Sequence, residues 1–436
     1  MYTAEVLTAY HHFLTRFYLK PLYHPERNFS SSFLKHFYAS SIVIKCANPM
    51  DSSGSRLIKI KPTIWNNIMF QKGIFVMSYN KNSMHPSAKK MELKIVTNLA
   101  WPAFRNVALD IHKALKPYCD SSVLDWKEAK QGGNILFIET VRRDTLKLIK
   151  QLLPGSKIVF YGTTEGRSFL DQESIRVARK IGIVAVSGFV KQMLEEVGVP
   201  VAGIVHHGLD MDATEIDQSF LQSLREKTGE KLVALTIASN DPRKGLKELL
   251  LSYKLVESEV PNSFLILHSQ PARYYSKTKQ RIRKRHYDFP RLMSKIGVER
   301  MWLTDRHGLM TSNEVNTLYE LCQIYVLSSF CEGFGLPMLE AFRFNKPVIA
   351  LDTPPFNEVI EDGQTGRLIP YKEVRWFNYL NQILFKMHIY EPDVLAEAMV
   401  SLLTNDGLRE NMKIKIQERR HRWSIHTLYP RLLDYF

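Results

Sequence analysis

Acidic residues are scarce at the start of this chain of 436 residues: before Met91 only Glu5, Glu26 and Asp51 carry a carboxylate. Cysteine is scarce throughout, and Cys46, Cys119, Cys322 and Cys331 form no C-x-x-C pair. No apolar run reaches the roughly 20 residues that a membrane-spanning helix needs, and no secretory leader with a small-residue cleavage site is visible. Together these absences predict a reducing, cytoplasmic setting and no spanning helix. The deficit of acids leaves a formal charge of +15, which calls for an anionic partner. Nucleotide diphosphate, acidic membrane surface and nucleic acid all fit that charge. A second basic cluster runs through Arg273, Lys277, Lys279, Arg281, Arg283, Lys284 and Arg285. It reads most simply as a solvated basic face, with docking to an anionic membrane on the cytoplasmic side as the minority reading.

The length exceeds what one hydrophobic core usually serves, so two domains are expected. Residues 1–90 are rich in Tyr, Phe, His, Ser and Lys but keep no helical or strand period. They read as a basic N-terminal extension, either loosely packed or translated from upstream of the native start. From Met91 the pattern changes. Residues 91–98 read as a buried strand, followed by Trp101-Pro102 and a helix bearing Val107, Ile111 and Leu115. Strands at 134–139, 157–161 and 183–186 then alternate with amphipathic helices, and a second series opens at Lys231-Leu232-Val233-Ala234. This alternation predicts two α/β domains built on parallel sheets, residues 91–225 and 226–423, with an interdomain linker near 211–230. A final helix, 424–436, is expected to return to the first domain, with Trp423, Leu428 and Leu432 spaced for packing.

The most informative stretch lies between Ser328 and Pro370, where Glu332 and Glu340 stand with seven residues between them, around Gly333-Phe334-Gly335. The glycines let backbone approach a ligand closely, and a helix opening near Pro337 directs free N–H groups at the turn. Such a helix start suits a phosphate or a sugar. Both carboxylates can face one cleft, Glu332 before the helix and Glu340 a turn inside it. The frame continues through Ala341, Lys346-Pro347-Val348-Ile349-Ala350, Glu358-Val359-Ile360, Asp362-Gly363, Thr365-Gly366 and Leu368 to Pro370. In order and spacing it resembles the E-x7-E signature of retaining glycosyltransferases of the GT-B fold, in particular glycosyltransferase family 4.

The resemblance implies two Rossmann-like domains facing across a cleft, an acceptor domain first and a donor domain second. It also implies transfer of a hexose-type sugar from a nucleotide-sugar donor with retained anomeric configuration, and no metal or other cofactor. Asp210-Met211-Asp212 has D-x-D spacing but falls in the exit loop of the first domain, after His206-His207-Gly208. Carried over residue by residue, Glu340 would bond the ribose hydroxyls and Glu332 the hydroxyls of the transferred sugar. Backbone at Gly333, Phe334, Gly335 and Leu336 would meet sugar or phosphate. Lys244, in the turn Ile237–Gly245, would contact the phosphates, and backbone near Leu309 or Met310 would touch the base. His207 would orient the interdomain loop, and Tyr319 would pack in the core.

This sequence departs from the pattern in three places. Ser239 stands where the family has an arginine, which leaves Arg243 as the candidate for the missing charge. The histidine usual after the strand at 157–161 is replaced by Gly162-Thr163-Thr164-Glu165-Gly166, which makes Glu165 the candidate polar group on the acceptor side. The usual glycine pair after the first strand is replaced by Leu99-Ala100-Trp101-Pro102-Ala103. Because these departures fall mostly in the acceptor half, the acceptor, whether glycan, lipid or protein, is left open. They also support a second reading, a GT-B-fold protein with weak or lost catalysis that serves as a basic membrane- or nucleic-acid-binding module. The intact Glu332, Glu340 and Lys244 favour the enzyme, and nucleic acid is set aside as its partner. Removal of residues 1–90 is expected to leave a soluble chain that still turns over a nucleotide sugar; loss of both properties in that truncation would show that the extension belongs to the folded enzyme.

Overall fold

The computed structural model describes residues 43–46, 58–61, 90–269, 287–304 and 309–436. The basic cluster at 273–285, Gly308 and nearly all of the N-terminal extension lie outside the described residues. Within the extension, β1 (Val43–Cys46) and β2 (Ile58–Lys61) form an antiparallel pair, Val43 opposite Lys61. The remainder, from Lys89, is a separate unit, made of two lobes.

The first lobe carries β3 (Glu92–Thr97), β4 (Asp120–Asp125), β5 (Gly133–Thr140), β6 (Ser156–Thr163), β7 (Gly166–Ser168), β8 (Gly182–Ala185) and β9 (Gly203–Ile204). Six of these make a parallel sheet in the order β4-β3-β5-β6-β8-β9, and β7 stands outside it. Helices cover both faces, so β5 and β6 are buried over the continuous runs Ile135–Ile138 and Ile158–Tyr161. Helix Pro102–Leu115 begins on a proline that fixes its first turn, and it buries Val107, Ile111 and Leu115. The strands expected from the sequence agree with β3, β5, β6 and β8 to within about two residues; β4, β7 and β9 were not expected, β4 because its half-buried Asp-Ser-Ser start shows no apolar run, and β7 and β9 because they are only three and two residues long.

The second lobe adds β10 (Leu232–Ile237), β11 (Ser263–His268), β12 (Met301–Leu303), β13 (Ile324–Val326), β14 (Val348–Leu351) and β15 (Gly366–Ile369), all parallel, in the order β12-β11-β10-β13-β14-β15. Counted from β10, this is the doubly wound order 3-2-1-4-5-6, which places a crevice between the carboxyl ends of its first and fourth strands. Here those strands are β10 and β13. Two parallel, helix-covered sheets in one unit give the expected α/β, two-lobed Rossmann-like architecture.

Three features differ from the sequence pattern. The stretch assigned to a linker contains helix Gln218–Thr228, capped by the Asp217 side chain on the Phe220 amide. Its Leu221 and Leu224 are buried, and the Asp217 amide donates to Thr317 Oγ1 at 2.9 Å, so this helix is part of the second lobe. The C-terminal segment is not one helix. It is a 3-10 turn (Arg420–Trp423), a single α turn (Ile425–Leu428) and a 3-10 stretch (Tyr429–Tyr435), because Pro430 cannot continue an α ladder. The segment packs on helix Pro102–Leu115 of the first lobe, and Tyr429 donates its hydroxyl to the Gly208 carbonyl at 3.0 Å. Finally, β16 (Glu373–Tyr379) and β17 (Ile383–Ile389) form a hairpin that pairs with β7, giving a three-stranded antiparallel sheet shared by the two lobes.

Candidate active site

At the carboxyl end of β10 the chain turns through the 3-10 segment Pro242–Lys244, which Asp241 caps by accepting from the Arg243 amide at 3.0 Å. Gly245 ends the turn in the left-handed region, at φ 61°, and a Cβ there would run into the Ser328 carbonyl oxygen. Only glycine meets both conditions. The loop after β13 is thereby sewn to the turn: Ser328 Oγ donates to the Lys244 carbonyl at 2.7 Å and the Phe330 amide to the Arg243 carbonyl at 2.8 Å. This crossing of two loops at the crevice positions the charged side chains.

Glu332 is buried, and its carboxylate is the centre of the cluster. Lys244 Nζ donates to Oε1, Arg243 Nη1 donates to Oε2 at 2.7 Å, and Ser329 Oγ donates to Oε1 at 2.7 Å. Burial by itself would raise the Glu332 pKa, but Lys244 and Arg243 outweigh it and hold the group down at about 2. Arg243 also donates to the Cys331 carbonyl at 3.2 Å and lies 3.5 Å from Oε1 of Glu165, which comes from the first lobe. Burial works against the Arg243 charge, and Glu332 and Glu165 more than compensate, so its pKa lies well above the usual value. The structure therefore gathers four of the sequence candidates, Glu165, Arg243, Lys244 and Glu332, into one network across the lobes. Arg243 faces inward, in the same turn as Ser239, which is only partly buried.

The remaining candidates surround this network. Gly335, at φ 98°, caps helix Leu336–Arg343, with Pro337 in its first turn. Glu340, one turn in, accepts from the Tyr319 hydroxyl at 2.7 Å. Tyr319 is fully buried, as its packing role required, and it also fixes a site carboxylate. Leu309, exposed, and Met310, partly buried, precede helix Ser312–Leu321, which carries Tyr319. Gly333 and Phe334 lie against the first lobe. Ser187 Oγ donates to the Gly333 carbonyl at 2.7 Å, and Thr163 leaves no room for a Cβ on Gly333. Phe334 packs edge-on against His207, with ring centroids 5.3 Å apart.

Sequence reasoning gave no role to Glu358, although it is part of the resemblance frame. Its carboxylate crosses to the first lobe and accepts from the Gly188 and Phe189 amides at 2.9 and 3.2 Å, at the start of helix Gly188–Glu195. His206 Nε2 lies 2.9 Å from the same carboxylate. The only signal in the sequence was a carboxylate in the frame with no ligand assigned to it. Among the described residues, no group of three or more His, Cys, Asp or Glu side chains is arranged to hold a metal ion. Among the same residues, no helix is long and apolar enough to cross a membrane.

Two facing Rossmann-like lobes with a charged network at the strand ends of the second define a protein of GT-B architecture. Residues 305–384 match the family model described as glycosyl transferases group 1. An uncharacterized glycosyltransferase of Sulfolobus islandicus rod-shaped virus 1 is 23% identical over 285 residues, which cover 64% of this chain and 80% of the viral protein. The trehalose synthase of Pyrococcus horikoshii is 30% identical over 147 residues, which is 32% of each protein, so the chain spans about a third of that relative. Among solved structures, Anabaena HepE in complex with UDP and glucose superimposes with a TM-score of 0.58 at 14% identity, covering 79% of this chain and 98% of HepE. At that identity the likeness speaks for the fold. Taken together, the comparisons support a GT-B glycosyltransferase.

His207 provides a pH test of the packing between the lobes. It is buried beside Tyr161, whose hydroxyl lies 3.0 Å from Nδ1, and burial followed by the neighbouring His206 lowers its pKa from 6.5 to about 3. Between these values the unfolded chain binds a proton that the folded chain does not, so stability falls as pH drops from 6.5 toward 3. For one proton the slope reaches about 1.4 kcal/mol per pH unit. His207→Phe is expected to flatten the dependence of denaturation midpoint on pH in this window; an unchanged slope would mean that His207 is protonated in the folded state.

Proposed function

We propose that the protein is a retaining glycosyltransferase that moves a hexose-type sugar from a nucleotide-sugar donor to an acceptor hydroxyl without a metal ion. The observation that carries this reading is the convergence of Lys244 and Arg243 on Glu332 between the carboxyl ends of β10 and β13, beside the start of helix Leu336–Arg343. As it stands the network balances: Arg243 and Lys244 supply two positive charges, Glu332 and Glu165 two negative ones. A donor diphosphate would compete for the two cations, and Glu332 would turn its oxygens to the hydroxyls of the transferred sugar.

In this reading Lys244 and Arg243 neutralise the charge that develops on the diphosphate as the bond from its oxygen to the sugar anomeric carbon breaks and the acceptor oxygen takes its place. Arg243 supplies the charge that Ser239 lacks. Peptide N–H groups from Gly335 onward add a fixed positive field at the helix start. Glu340, held by Tyr319, bonds the ribose hydroxyls. Leu309 and Met310 border the base. Glu165 stands on the acceptor side of the transferred sugar. The nucleotide and glucose bound by HepE, in the same fold, favour a nucleotide-sugar donor.

Turnover of a panel of nucleotide sugars, with the sugar released to water or to added acceptors, tests the proposal. At least one is expected to be consumed by the wild-type protein. Lys244→Ala is expected to lower kcat by about 100- to 1,000-fold, the loss usual for one preorganised group facing developing charge. Glu340→Ala is expected to act chiefly through the affinity for nucleotide. Both variants should keep the wild-type circular dichroism spectrum. Full activity in both variants would refute the site, and failure of the wild type to bind or consume any nucleotide sugar would refute the donor.

A further inference from the structure

The hairpin β16–β17 has no counterpart in the sequence frame that suggested the fold, yet it touches both lobes at the active site. Strand β17 pairs with β7 through Phe385 and Gly166, Leu384 and Arg167, and Ile383 and Ser168. The ladder continues beyond these pairs: the Phe169 amide donates to the Gln382 carbonyl at 2.9 Å, and the Lys386 amide donates to the Glu165 carbonyl at 3.3 Å. Strand β7 follows Glu165 directly, so the backbone of this acceptor-side residue is hydrogen-bonded to an element of the second lobe.

The inner face of the hairpin reaches the donor side as well. Ile383 and Phe385 are buried with Cys331, the residue before Glu332, and Tyr379 stacks on Phe385 with centroids 5.0 Å apart. The Phe385 ring centroid lies 5.9 Å from the Arg243 guanidinium carbon. Gly166 makes the close pairing possible, since a Cβ there would run into the Leu384 carbonyl oxygen. A single strand addition thus fixes the Glu165 backbone on one side and lines Arg243 on the other. Those are the two residues whose side chains meet at 3.5 Å across the lobes.

We propose that the hairpin Glu373–Ile389 is a positioning element: by adding β17 to β7 it sets Glu165 against Arg243, Glu332 and Lys244, so that turnover depends on the ladder while nucleotide binding does not. The proposal rests on the donor-site reading above. It assigns the hairpin no contact with substrate, and it treats the ladder as present throughout the reaction rather than as a lid that lifts.

Gly166→Val tests this by placing a side chain against the Leu384 carbonyl while leaving the hairpin and every charged residue of the network unchanged. Binding of UDP, GDP and ADP by calorimetry is expected to stay within about threefold of wild type, whereas kcat for donor turnover falls by about a hundredfold, the scale of a misplaced reacting group. Glu165→Gln should lower kcat comparably, and the double variant should lose no more than the single ones, because both remove one interaction. A cysteine pair at the facing positions, Ser168→Cys with Ile383→Cys in a Cys331→Ser background, should form a disulfide and turn over donor at the rate of its reduced form. Wild-type turnover in Gly166→Val, losses that multiply in the double variant, or a crosslink that stops turnover until it is reduced would each overturn the proposal. Crosslink formation and amide exchange at Leu384 report the ladder without any nucleotide. If both behave as expected while wild-type protein binds no nucleotide diphosphate, the donor reading is what fails, and the positioning role falls with it.

Discussion

The structure depends on keeping one buried carboxylate charged. Glu332 is taken almost entirely out of water, a position that would protonate an isolated acid, and it stays ionised because Lys244 and Arg243 both donate to it. Those two cations arrive on the turn after β10 and the carboxylate on the loop after β13, so the pairing requires the doubly wound strand order that makes β10 and β13 neighbours. The same pairing brings in the first lobe through the contact of Arg243 with Glu165. Fold topology, electrostatic balance and the meeting of the lobes therefore converge on a single acid.

Around that centre the lobes are joined by contacts of different character. Glu358 reaches a helix start in the first lobe, where peptide dipoles and His206 stabilise its charge. Ser187 and Thr163 close on Gly333, whose lack of a side chain sets the spacing. The C-terminal segment crosses back and places Trp423 and Tyr429 beside the His206–Gly208 loop. The hairpin adds a fourth connection, made of backbone hydrogen bonds. The connections thus combine hydrogen bonds between side chain and backbone, ring packing and one backbone ladder, and the ladder leaves the least rotamer freedom.

Much of the second lobe was legible in the sequence. Glu332, Gly335, Pro337 and Glu340 form a local pattern, since the turn, the helix start and the two acids lie within one short stretch and their spacing is set by helix geometry. Lys244 was legible for the same reason, through the strand–turn–helix around Gly245. The inward direction of Arg243 was not, because neighbouring residues in a turn can face either way and only the capping of the turn by Asp241 and the opposing carboxylates decide it. Helix Gln218–Thr228 was hidden by the polar residues on its exposed face, and the hairpin by residues such as Trp376, Phe377 and Phe385, which show strand character without revealing a partner.

The sequence by itself determined the local chemistry: alternating strands and helices, a helix start prepared for an anion, a lysine at a strand end and two carboxylates a fixed number of residues apart. These follow from the intrinsic periods of helix and strand and from the conformations open to glycine and proline. Only the tertiary structure decided which charges meet. Glu165 and Arg243 lie 78 positions apart (243 − 165), on different lobes, and their side chains meet at 3.5 Å in the folded chain. Contacts between distant segments depend on how whole lobes pack, and no spacing within the chain encodes that.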